Sequence, residues 1–94
     1  MSLTPAQLTA SRIALMPDGD LAEVVLDDIG DAYARWYSDG SWSAWFFVGS
    51  PAVDVSVAAA NVSSTDTAYV SMVFRGGGRG VCELTSSGVT GTSL

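Results

Sequence analysis

The sequence contains no histidine and no lysine. The first absence removes the usual acid–base group at neutral pH and the usual nitrogen ligand for metals. The second removes the Schiff-base nucleophile. One cysteine, Cys82, excludes an internal disulfide. Serines are present, but no imidazole or lysine amine is available to activate one. No catalytic residue, metal or cofactor is therefore expected. Long apolar runs are missing too. The longest bulky run, residues 45–48, falls far short of the ~20 residues a membrane helix needs. The opening MSLTPAQLTASR has no basic region followed by an apolar stretch, so no secretory signal is read there. The chain is expected to be made in the cytoplasm.

What is present is apolar and acidic. The 94 residues are 48% hydrophobic and 15% charged, which fits one ordered domain. A chain of this size buries only about 60–65% of the surface it exposes when unfolded. Its core is marginal, and neighbouring chains are the expected support. Ten acids oppose four arginines, giving a net charge of −6. That balance argues against nucleic acid and anionic membranes as partners. Seven of the ten acids lie between Asp18 and Asp39. They form either a solvated set of turns or an electrostatic handle for a basic partner.

The chain reads as strand, turn, strand. Apolar or alternating stretches at 12–16, 21–26, 32–37, 42–48, 53–57, 67–74 and 81–85 are separated by turn chemistry. The separators are Pro17-Asp18-Gly19-Asp20, Asp27-Asp28-Ile29-Gly30-Asp31, Ser38-Asp39-Gly40-Ser41, Gly49-Ser50-Pro51, Ser63-Ser64-Thr65-Asp66 and Arg75-Gly76-Gly77-Gly78-Arg79-Gly80. Val53, Val55 and Val57 alternate to one face, as do Ala68, Val70, Met72 and Phe74. The expected fold is all-β: an antiparallel meander of seven or eight short strands, either propeller-blade-like or a small sandwich. The organisation is an N-terminal arm or short helix at 1–11, one all-β domain at 12–85, and a C-terminal arm at 86–94. Thr4-Pro5-Ala6-Gln7 fits a capping box and is the source of the helical alternative, which would run to about Ala10.

A shift of 46 residues superposes the two halves, 4–49 on 50–94. Thr4-Pro5-Ala6 falls on Ser50-Pro51-Ala52, Ala22 and Val24 on Ala68 and Val70, and Gly30 on Gly76. A two-residue offset then places Gly40 on Gly88. This period is the length of a four-stranded propeller blade. The second unit has no aromatic counterpart of residues 42–48, so an open edge is expected there.

Arg35-Trp36-Tyr37-Ser38-Asp39-Gly40-Ser41-Trp42-Ser43-Ala44-Trp45, followed by Val48-Gly49-Ser50-Pro51-Ala52, resembles the blade ending of lectin-like β-propellers. Small bacterial fucose-binding lectins of this kind carry two blades per chain and close a ring as trimers. The resemblance implies self-association, with three copies favoured, and a glycan as ligand. It covers about 20 residues. The second unit lacks a Trp-x-x-Trp.

Trp36, Tyr37, Trp42, Trp45, Phe46 and Phe47 place six aromatics within twelve residues. They serve cross-strand packing in one hairpin, a stacking platform, or an interface hot spot. Strict alternation puts Trp45 and Phe47 opposite Trp42, Ala44 and Phe46. Both faces of that strand are then bulky, one for the core and one for a partner. The candidate interface or ligand-binding residues are Arg35, Trp36, Tyr37, Asp39, Trp42, Trp45 and Phe47. The Arg75–Arg79 glycine segment lacks the Lys-Ser/Thr of a phosphate loop. The Asp-rich turns lack the spacing of a calcium loop. Cys82, in an apolar strand, reads as a buried structural thiol.

The expected role is therefore a non-catalytic structural protein that works by association. Its setting would be a virion or other large assembly, as a decoration-type accessory of a bacteriophage capsid or tail, with itself and other subunits as partners. The alternative is a small oligomeric carbohydrate-binding lectin, with Trp36, Trp42 and Trp45 stacking on the sugar and Arg35 and Asp39 bonding to it.

Overall fold

The computed structural model describes residues 7–93. Nine strands run through them: β1 Leu8–Leu15, β2 Leu21–Asp27, β3 Ala32–Ser38, β4 Ser41–Trp42, β5 Phe46–Gly49, β6 Ala52–Val62, β7 Thr65–Phe74, β8 Arg79–Thr85 and β9 Gly88–Ser93. All pairings are antiparallel, so the all-β expectation holds. The first sheet has the order β1-β2-β3-β4, with β5 continuing the pairing on β3. The second has the order β6-β7-β8-β9. Each is a simple meander, because every connection is too short to do anything but turn back.

Several boundaries differ from the sequence reading. Thr4, Pro5 and Ala6 of the capping box lie outside the described residues. Leu8 to Ser11, read as arm or helix, already belong to β1, where the LTASRIAL alternation pairs with β2. The polar stretch after residue 86 is β9, hydrogen-bonded along β8. Gly88 and the small β-branched residues around it allow extended pairing despite low hydrophobicity. The second sheet therefore has four strands. Val53 does not join Val55 on the inner face. It is the extra residue of a bulge between Ala52 and Asp54, and it is 53% exposed while Val55 is 3% exposed.

The core lies between the sheets. Ala22, Val24, Leu26, Ala34 and Trp36 of the first sheet meet Val55, Ala68, Val70, Cys82 and Leu84 of the second. Contacts run from β1 and β2 to β6, from β3 to β8 and from β5 to β9, so strand order is kept across the sandwich. Like ends also meet. The amide of Asp18, in the β1–β2 turn, donates to Asp66 Oδ2 at the start of β7. At the other end Ala52 N donates to Gly30 O, and Arg75 N to Pro51 O. Phe46, Val48, Phe74 and Val89 pack against the core on the β5–β9 side. Phe74 fits there because Gly49 and Gly80 leave room. A Cβ on Gly80 would lie 2.9 Å from the Phe74 ring, and one on Gly49 would lie 2.7 Å from Met72 Sδ.

Candidate functional site

The outward face of the first sheet is where the chemistry gathers. Period-two alternation, with paired residues sharing a face, sets out three rows. The first holds Leu15, Leu21, Tyr37 and Trp42; the second Ile13, Glu23 and Arg35; the third Ser11, Val25, Tyr33 and Phe47. β2 is buried on both sides: Val25 is 0% exposed and Glu23 9%, although both point away from the sandwich core.

At the centre, Arg35 Nε donates to Glu23 Oε1 at 2.7 Å, and Ser11 Oγ donates to Glu23 Oε2 at 3.0 Å. The guanidinium carbon lies 4.0 Å from the Trp42 ring centroid and 4.3 Å from that of Trp45. Two indoles thus flank one cation, each contact worth about 0.5–2 kcal/mol depending on its desolvation. The two Nη groups of Arg35 have no hydrogen-bond partner among the described residues. Tyr37 meets Trp42 edge to face at 5.1 Å, and Tyr33 meets Phe47 at 5.8 Å. Desolvation, then the Asp31 and Asp27 carboxylates, hold the Tyr33 phenol above its ordinary pKa. Around this cluster Ile13, Leu15 and Phe47 stand 56%, 66% and 58% exposed.

The alternation expected through residues 42–48 is broken. Tyr37 pairs with Trp42 and Tyr33 with Phe47, so β4 and β5 carry one residue more than β3 between these pairs. Ser43 fills the gap: its amide donates to Trp36 O, and its Oγ accepts from Trp36 N. The extra residue reverses the phase. Trp42, Trp45 and Phe47 therefore share the outward face, while Phe46 packs inward.

Of the residues singled out from sequence, Arg35, Tyr37, Trp42, Trp45 and Phe47 come together here. Trp36 does not. It is 3% exposed in the inter-sheet core, where its Nε1 donates to Asp20 Oδ2 at 2.8 Å. Asp39 stands at the tip of the β3–β4 turn with φ 51°, followed by Gly40 at φ 82°. Glu23, Ser11, Ile13, Leu15 and Tyr33 were missed. A usable signal existed for Glu23: it is a lone acid inside an aliphatic strand, and such a group needs a cationic partner.

Among the described residues, no group of three or more potential metal ligands converges, and no helix is long and apolar enough to cross a membrane. Comparison with family models, curated proteins and solved structures finds no match to this chain.

Proposed function

We propose that this protein is a non-catalytic association module whose aromatic face packs against other subunits of a larger assembly. The observation that carries the reading is the contiguous outward face of the first sheet. Three large apolar side chains are more than half exposed there, around a cation held between two indoles. Contiguous apolar surface rimmed by polar groups marks interaction sites, and Trp, Tyr and Arg are the residue types that dominate interface energetics. Copies of the chain are the first partners, three being the number the lectin-like resemblance implies. A decoration-type accessory role on a particle such as a bacteriophage capsid or tail is the setting assigned to it. Small size, acidity and the lack of catalytic groups support that setting.

A second reading, carbohydrate binding, is favoured by one specific feature. The free Nη donors of Arg35 lie beside the Glu23 carboxylate and two indole walls, a set that can bond hydroxyls and stack on a sugar ring.

One experiment addresses both. Native mass and glycan-array binding are measured for the wild type and for Trp45→Ser. The wild type is expected above 9.7 kDa, with Trp45→Ser shifted toward the monomer and its far-ultraviolet spectrum unchanged. Glycan binding of roughly millimolar affinity or tighter, lost in Trp45→Ser, selects the second reading. A wild type that stays monomeric at high concentration and binds no glycan rules out both.

A further inference from the structure

We propose that the aromatic face is covered by the outward face of the second sheet of another copy, so that copies join head to tail. This pairing presupposes the association role and names its partner surface.

The two outward faces are unlike in bulk. On the second sheet, Ser56, Ser71 and Val81 share one row and Tyr69 and Glu83 the next. A groove of about 150 Å³ runs past Asp54, Ser56, Ser71, Val73, Arg79 and Val81. A cavity of that size takes a benzene ring, so it suits one aromatic side chain of a facing copy. The first sheet presents protruding rings and aliphatic chains instead. Pairing two aromatic faces would set bulk against bulk.

Charge decides the orientation. Within one chain the second sheet stacks on the first with strand order kept and like ends together. Repeating that step lays the next copy's first sheet on the free face of the second sheet, third strand over third strand. Arg35 is the outward residue at the middle of β3, and Glu83, one residue past the middle of β8, is one of the two outward residues nearest that height. Asp31 precedes Arg35 by four residues, and Arg79 precedes Glu83 by four. The free Nη groups of Arg35 therefore face Glu83, and Asp31 faces Arg79. Glu83 and Arg79 have no salt bridge among the described residues. Asp54, the other charge in the groove, lies on β6, two strands from Arg79. Both facing pairs are opposite in sign, so the pairing meets the requirement of electrostatic complementarity. Because the contact is heterologous, its repetition closes a ring or extends a filament.

The test is a charge exchange read by analytical ultracentrifugation. Asp31→Arg and Arg79→Asp each place like charges across the contact. Each is expected to weaken self-association by about tenfold or more. The chain carrying both substitutions should regain wild-type association, because the exchanged charges meet their complements at every contact. Glu83→Arg, away from the Asp31 turn, should weaken it as well. Far-ultraviolet spectra and melting curves confirm that each variant is folded. If the wild type associates and Arg79→Asp and Glu83→Arg keep its mass, the head-to-tail contact is wrong while the association role stands. Failure of the double variant to regain association also overturns the contact. A wild type that never associates overturns both.

Discussion

Arg35 and Trp36 are adjacent in sequence and end on opposite sides of a sheet. The guanidinium lies outside between two indoles, and the Trp36 indole lies inside against Asp20. Alternation along β3 made that split legible. Which side was the core could not be read, because both sides carry aromatics. Cys82 shows the same logic on an inward position. It is 2% exposed, and burial pushes its thiol up to about 11, because a thiolate in that setting loses its hydration. At pH 8 the native thiol should react with a disulfide reagent about 100-fold more slowly than the urea-unfolded chain. Stopped-flow absorbance measures the ratio, and equal rates would show that the thiol is not protected by the fold.

At the scale of elements, turn chemistry was the most readable part. Asp39-Gly40 adopts the positive φ values that a two-residue hairpin needs. The β6–β7 hairpin meets the same demand with poorer residues: Ser63 has φ 50° and Ser64 φ 65°. Residues with a Cβ disfavour this region. Replacing the pair with Asn and Gly, as Ser63→Asn with Ser64→Gly, should stabilise the fold by about 1 kcal/mol. Urea denaturation would report this as a higher midpoint at constant slope, and a lower midpoint would mean that the serines make contacts worth more than the strain. The bulges were not legible. The phase change between Trp42 and Phe46 depends on Ser43 bonding both backbone groups of Trp36, a contact seven residues away in sequence. No local pattern encodes it.

At the scale of the whole molecule, of the two expected forms, blade or sandwich, the chain takes that of two stacked sheets. The second sheet covers the first, and the tail read from sequence as an arm supplies β9. One of the ties between layers is ionisable. Asp66 accepts from the Asp18 amide and, through Oδ1, from Asn61 Nδ2 at 2.9 Å. The Asn61 amide, helped by Asp18, holds the Asp66 carboxyl below its ordinary pKa. The Asp20 amide pulls Asp18 down, but desolvation and the nearby Asp66 and Asp20 carboxylates outweigh it and leave Asp18 raised. A depressed carboxylate stabilises the fold above its unfolded pKa and loses that contribution as pH falls through its folded value. The melting-temperature difference between wild type and Asp66→Asn should therefore be present at pH 6 and close below about pH 4. A difference that persists at pH 2.5 would assign the effect to packing rather than charge. Asp18 acts in the opposite sense, so Asp18→Asn should not reproduce this profile.

By itself the sequence determined that the chain is all-β, where most turns fall, and that aromatics concentrate around one hairpin. These follow from alternation, glycine and aspartate chemistry, and composition, all of which act over a few residues. Only the tertiary structure decided that the halves stack as two sheets, that Trp36 belongs to the core, and that Glu23 bonds Ser11 and Arg35 while Trp42 and Trp45 lie against the guanidinium. Those outcomes depend on strand register and on which sheet face is covered. Both are set by contacts between residues far apart in the chain, where local preference carries no information.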